Sequence, residues 1–283
     1  MWKLKTFLVV FILFLLSSSS LARERIVSTA PSTTEILFAL DLGEYVVGVT
    51  DFCNYPKEAK KKIHIGGNFN FNLERITLLQ PTCVVLLKGN SRLKTFCKKM
   101  NIRYIEVTYN SLSDIYNSIY TIGKAFRIEK KANLLINNIK MELNRVLSKL
   151  DKINKKYRFR VLLVVYREIN KLKDIWVATD KSFLGEILKL CRVQNIFQDI
   201  DKPYVKVSLE EILARNPDII IEASSINLGI DPKKSLLLWS KLGQINAVRY
   251  KRIYVLSKPY ITIPGPRIPF IARDFINCIY GKK

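Results

Sequence analysis

The sequence predicts an α/β protein in two lobes, and three observations predict it. Short β-branched runs alternate with segments of helical periodicity, the pattern of strands separated by crossover helices. A helix-and-strand unit occurs twice, with every matched position offset by 136 residues. Between the two copies runs an amphipathic stretch, Lys124 to Arg160, that neither Gly nor Pro interrupts.

The elements follow in chain order. Residues 1–22 carry Lys3 and Lys5, then an apolar run from Phe7 to Leu16, then small residues ending at Ala22. That is the build of an export signal cleaved after Ala22, with Arg23 as the new first residue, because the apolar run is short for a bilayer span. No Cys follows the run to take a lipid, so a soluble protein outside the cytoplasm is expected.

Strands are expected at Arg25–Val27, Val46–Val49, Cys83–Leu87 and Arg103–Val107, and in the second half at Val161–Tyr166, Ile219–Ile221 and Ile253–Leu256. In the stretch between the halves, Leu135, Ile139, Val146 and Leu150 fall among apolar residues at helical spacing, with charges on the other face. About thirty residues of helix, about 45 Å, are expected there. The division is thus 1–22 signal, 23–123 N-terminal lobe, 124–157 bridging helix and 158–283 C-terminal lobe.

The repeat is the most informative pattern. Asn72-Leu73-Glu74-Arg75-Ile76 precedes Pro81 and the run Cys83–Leu87, and Ser208-Leu209-Glu210-Glu211-Ile212 precedes Pro217 and Ile219–Ile221. Asn72 and Ser208 read as N-caps, which puts Glu74 and Glu210 at the second helical position of each lobe. An acid there is ordinary for one helix, since it favours the dipole. Its recurrence in both lobes gives a functional reading equal weight. Ser32-Thr33-Thr34-Glu35 and Ser208 with Glu211 read as capping boxes.

Composition narrows the function. With 48% hydrophobic and 25% charged residues the chain folds by burial. Lys and Arg number 47 against 24 Asp and Glu, a net charge of +23. The basic clusters Lys57–Lys62, Lys149–Arg160 and Arg249–Arg252 do not alternate with aromatics, and export removes the chain from intracellular nucleic acid, so a solvated basic surface is expected rather than a nucleic-acid partner. Five cysteines leave at least one thiol unpaired in a monomer.

Catalytic constellations are scarce. His64 is the single histidine, which removes His-based triads and two-histidine zinc sites, and it reads as a loop or packing residue rather than a metal ligand. There is no Walker loop or GxGxxG, and Ser91 with Lys94 lacks the companion motifs of a penicillin-recognising site. No nucleophile has a recognisable base, so an exported α/β hydrolase is the weakest reading; no catalytic residue, cofactor or metal is expected. Aromatics instead gather after strands: Phe52, Tyr55, Phe69, Phe71, Trp176, Tyr204 and Tyr260. In an open α/β sheet such loops border a ligand cleft.

Ser28-Thr29-Ala30-Pro31-Ser32-Thr33-Thr34-Glu35, Gly48 to Pro56, Asn72 to Ile76, Asn195-Ile196-Phe197 and Pro264-Gly265-Pro266-Arg267-Ile268 together resemble the periplasmic binding proteins of cobalamin, siderophore and haem ABC importers. The Asp51-Phe52-Cys53-Asn54-Tyr55-Pro56 stretch is most similar to the cobalamin-binding branch. The resemblance implies two Rossmann-like lobes bridged by one long helix, a ligand cleft between them, and a monomer that delivers cobalamin or another corrinoid to a dimeric permease. A ferric siderophore or haem is the alternative cargo. It implies that Glu74 and Glu210 dock on the permease, that Phe52, Trp176 and Tyr204 touch ligand, and that Lys88 lies in another contact loop; Tyr55 and Tyr260, from the aromatic set, are lesser candidates. Lys88 and Asn68 stand where the branch can carry Trp, a departure that bears on the ligand. The resemblance also makes Cys191 and Cys278 a candidate disulfide.

Overall fold

The computed structural model describes residues 24–67, 70–152, 158–224 and 231–281. The expected signal segment with its cleavage site, Asn68 and Phe69, and residues 153–157 of the expected bridging helix lie outside them. Two compact units divide the chain: residues up to Thr108 with Ile119–Ala132, and Tyr109–Ser118 with Asn133 onward.

In the first unit, strands β1 (Ile26–Ser28), β2 (Val46–Val49), β3 (Ile63–His64), β4 (Cys83–Leu87) and β5 (Arg103–Val107) form one sheet in the order β3-β2-β1-β4-β5. Every pairing is parallel. Helices α1 (Pro31–Ala39), α2 (Leu73–Leu78) and α3 (Ser91–Lys99) connect them, and Val27, Ile65, Ile76, Val84, Leu86 and Leu93 make up much of the core. Because a parallel sheet is covered on both faces, β4 is a continuous apolar run, buried from Cys83 to Leu86.

The second unit has a mixed sheet. Strands β6 (Arg160–Tyr166), β7 (Ile175–Ala178), β8 (Gln194–Asn195), β9 (Tyr204–Val207), β10 (Ile219–Ser224) and β11 (Ile253–Ser257) take the order β11-β10-β6-β7-β9, with β8 beside β6. β6, β10 and β11 are parallel, whereas β7 runs antiparallel to β6 and β9. Around them lie α6 (Phe183–Leu190), α7 (Leu209–Arg215), α8 (Pro232–Ser240), α9 (Asn246–Arg249) and α10 (Ile268–Tyr280).

The uninterrupted helix expected from Lys124 is not formed. Helix α4 (Leu112–Ala125) ends there, and α5 runs from Glu129 to Leu147, followed by a 3-10 segment at Ser148–Lys152. The break is a C-cap made without glycine: Arg127 takes φ 58°, its N–H donates to Lys124 O (3.2 Å), and Ile128 N–H donates to Gly123 O (2.8 Å). Those two bonds satisfy the carbonyls that the helix end exposes, the Schellman arrangement. Nineteen residues of α5 span about 28 Å rather than 45 Å. The chain passes between the units after Thr108, inside α4 after Ser118 and inside α5 after Ala132.

The repeat takes the same form in both units. Asn72 Oδ1 accepts from Arg75 N (2.8 Å) and Ser208 Oγ from Glu211 N (3.1 Å), so both caps are as expected. Before each cap a buried apolar residue, Phe71 or Val207, shares a core cluster with Ile76 or Ile212 one turn into the helix, a hydrophobic staple. After each helix a left-handed residue, Gln80 at φ 44° or Asn216 at φ 41°, turns the chain into Pro81 or Pro217 and the next strand.

The boxes themselves are corrected. Helix α1 begins at Pro31 with Ala30 as its N-cap, because Pro suits the first helical position. Ser32 is therefore inside the helix, and Thr33 Oγ1 accepts from Ala30 N (3.1 Å). Glu35 is buried. Glu211 turns forward to Arg215 Nη2 (3.2 Å) rather than back to Ser208 N, which leaves half a box.

Candidate ligand site

In the first unit the carboxyl ends of all five strands share one edge, with the strand order reversing between β1 and β4. Ligands of open α/β sheets bind outside such a reversal. The loop after β2 presents Phe52 (40% exposed) and Tyr55 (47% exposed) there, and the turn after β4 presents the exposed Lys88. Gly89 at φ +95° makes the turn behind Lys88 possible, a conformation a side chain would strain. Gly67 lies against the Phe52 ring: a Cβ there would stand 3.7 Å from it.

The Phe52 loop is fixed from below by neutral groups. Thr34 Oγ1 donates to Cys53 Sγ (3.1 Å), Thr50 Oγ1 is also 3.1 Å from that sulfur, and Ser28 Oγ lies 2.7 Å from both Thr33 Oγ1 and Thr34 Oγ1. All of these groups are buried. Burial raises the Cys53 thiol pKa despite those bonds, so sulfur stays protonated and joins the network as a thiol. The Ser28–Glu35 and Thr50–Pro56 motifs thus act together as the support of one loop. His64, at the end of β3, stands beside this edge, partly exposed, with Nδ1 3.3 Å from Asp51 Oδ1.

In the second unit the three predicted residues, Trp176, Tyr204 and Tyr260, separate. Trp176 is 40% exposed on β7 and stands between Tyr166 of β6 and Lys206 of β9. Tyr204 pairs with Ala178, two residues along the same face, but it is half-buried and bonded to Ser182, and burial raises its hydroxyl pKa to about 12. Tyr260 is likewise engaged: its hydroxyl donates to Asp274 Oδ2 (2.7 Å), and its ring packs edge-on to Phe270 and under Arg267. Tyr260 supports the start of α10 in this arrangement. Tyr166 (44% exposed) and Ile169 (51% exposed) were missed; Tyr166 was the last residue of a strand run, and that position was the available signal.

Glu74 and Glu210 are exposed at the second residue of their helices, and among the described residues neither joins an ion pair. The Glu210 carboxyl is held below its ordinary pKa by its own backbone N–H and the Ser208 hydroxyl. The expected bridge between Cys191 and Cys278 is not formed: both thiols are free and buried. Cys191 Sγ points at Ala272 O (3.9 Å), six residues before Cys278 on α10 and so about 9 Å short of it along the axis.

These features define a class, two α/β units whose strand ends carry exposed aromatics over a buried polar support. Residues 26–260 match the periplasmic binding protein family, and the chain belongs to that family. It is a substrate-binding protein of an ABC importer, which takes a small ligand to a membrane permease. It is 32% identical over 262 residues to an uncharacterized ABC transporter substrate-binding lipoprotein of Bacillus subtilis, covering 91% of this chain and 80% of that one. It is 26% identical over 247 residues to the vitamin B12-binding protein of Vibrio parahaemolyticus, covering 86% and 85%. The crystal structure of a possible iron-binding, periplasmic solute-binding protein from Staphylococcus epidermidis superimposes with a TM-score of 0.78 at 28% identity, over 91% of this chain and 98% of that one. Among the described residues no helix is long and apolar enough to cross a membrane.

Proposed function

We propose that the protein captures cobalamin or a related corrinoid, without turnover, and delivers it to its permease after export and cleavage behind Ala22. The carrying observation is the set of large aromatics exposed at the strand ends: Phe52 and Tyr55 in the first unit, Trp176 and Tyr166 in the second. A corrinoid is a broad, largely apolar ring fringed with amides, and aromatic walls give such a ring area while a few polar groups orient it. The vitamin B12-binding relative supports the same cargo. Lys88 and the likeness to a possible iron-binding protein favour, as the second reading, a ferric siderophore or haem carrying anionic groups. Glu74 and Glu210 dock on the permease in this reading, and Tyr204 and Tyr260 hold neighbouring structure more than ligand.

Spectrophotometric titration with cyanocobalamin, haemin and ferric siderophores tests the cargo. Trp176→Ala weakens cyanocobalamin binding about tenfold or more and leaves melting nearly unchanged, because the side chain is not in the core. Melting that drops while affinity holds would defeat the reading. Intact mass of the exported protein beginning at Arg23 tests the processing.

A further inference from the structure

The second unit contains a fully buried charge network that the ligand reading does not use. Arg167 and Glu222 are 2% and 1% exposed, and Arg167 Nε lies 3.1 Å from Glu222 Oε1, close enough for charge pairing although the angle misses hydrogen-bond geometry. Glu222 Oε2 accepts from Ser235 Oγ (2.5 Å) and Trp239 Nε1 (2.9 Å), and Arg167 Nη2 donates to Ser235 Oγ (2.8 Å). Strand β10 and helix α8 thus supply the anchor.

The remaining guanidinium nitrogen reaches the other way. Arg167 Nη1 donates to Glu168 O (3.0 Å) and Lys171 O (3.3 Å), two carbonyls of the loop 167–174 that joins β6 to β7. Within that loop Glu168 N donates to Lys173 O (2.9 Å), and Asn170 and Asp174 take left-handed φ values of 63° and 52°. The loop is therefore folded around the guanidinium. On one side of it, the pairing of β6 with β7 is irregular between Val164 and Tyr166, and that irregularity sets Tyr166 opposite Trp176. Bulges of this kind re-aim side chains beside functional sites.

We propose that Arg167, with Glu222, Ser235 and Trp239, is a positioning group that presets the β6–β7 loop and so holds the exposed Tyr166–Trp176 pair ready for an apolar ligand face. This rests on the reading of Trp176 as a ligand contact. A planar fork is what the task requires: Arg faces a carboxylate and a hydroxyl on one side and two carbonyls on the other, a geometry that Lys cannot reproduce. A loop ordered before binding adds no ordering cost at the moment of capture.

The test uses two variants of the full chain, Arg167→Lys, which keeps the charge pair, and the doubly neutral R167Q/E222Q. Hydrogen exchange by mass spectrometry should show amides of 168–173 exchanging about tenfold or more faster in either variant, with β10 and α8 still protected. Cyanocobalamin affinity should fall about tenfold in step. An unchanged loop, a loosened loop with full affinity, or opening of β10 and α8 together with the loop in both variants would each overturn the proposal. If the unaltered protein binds no cyanocobalamin, the corrinoid reading fails on its own, and the exchange pattern still decides whether Arg167 orders the loop.

Discussion

The two units solve one problem with different chemistry. Each must hold an exposed aromatic loop on a buried polar support. The first uses hydroxyls and a thiol, Ser28, Thr33, Thr34, Thr50 and Cys53, while the second uses the ion pair of Arg167 and Glu222 with Ser235 and Trp239. A neutral network loses only neutral hydrogen bonds when a partner is removed. A charged one leaves an unpaired ion in the interior, which costs far more. The difference teaches that similar architecture does not imply similar tolerance.

Alkali is the harshest way to sharpen the comparison, and the first unit holds three of the five thiols. Burial raises the Cys83, Cys191 and Cys278 thiols to about 12 and Cys97 to about 11, and raises Cys53 as well. Unfolded thiols ionise near about 8.5, so the folded chain holds protons that the unfolded chain has released. With folded values above unfolded ones, the stabilisation is complete below about pH 8.5 and declines as pH rises toward 11 and 12, by up to about 1.4 kcal/mol per thiol per pH unit. Melting temperature should fall steeply above pH 9. Replacing the trio Cys53, Cys83 and Cys97 by Ala should flatten that slope more than replacing Cys191 and Cys278; equal flattening would break the comparison. Thiol titration at pH 8 should find none reactive in the native protein and five after denaturation, whereas three would restore the Cys191–Cys278 bridge.

Single substitutions should rank the other way. Arg167→Ala strands Glu222 and should cost about 3–5 kcal/mol by chemical denaturation. Thr34→Val removes one hydroxyl while Thr50 still serves Cys53, and should cost about 1 kcal/mol. Similar losses for both would erase the distinction between the supports. The smallest effect on stability belongs to what the units share: exchanging Glu74 and Glu210 for Arg should barely move melting or cyanocobalamin titration, yet should abolish ligand-driven transport in reconstituted vesicles, because attractive contacts become like-charge clashes.

Legibility in the sequence followed burial. The seven strand runs were readable because the central parallel strands β4 and β10 are nearly continuous buried apolar runs and the others keep β-branched or aromatic residues. Strands β3 and β8 have two residues each and leave no pattern, β7 is an apolar run of only four residues, and in β9 Lys206 interrupts the apolar residues. The caps Asn72 and Ser208 were legible because capping is local. The stop at Phe126–Ile128 was not, since Arg127 rather than Gly takes the left-handed position. Of the site, exposed Phe52, Tyr55 and Trp176 were found from composition after strands, but the engagement of Tyr204 with Ser182 and of Tyr260 with Asp274 depends on tertiary partners. Arg167 and Glu222, 55 residues apart, carry no local signal of pairing.

The outer strands carry a consequence for behaviour at high concentration. An unpaired strand edge is a template for joining another chain into a growing sheet. β3 offers two residues to such a partner, β5 begins with Arg103 held to Glu24 (2.6 Å), and β9 places Lys206 at its edge, tied to Asp174 (2.5 Å). Adding a strand at β5 or β9 would require a charged side chain to be turned aside or desolvated. The same lysine that flanks Trp176 therefore also disfavours amyloid-like joining at the β9 edge.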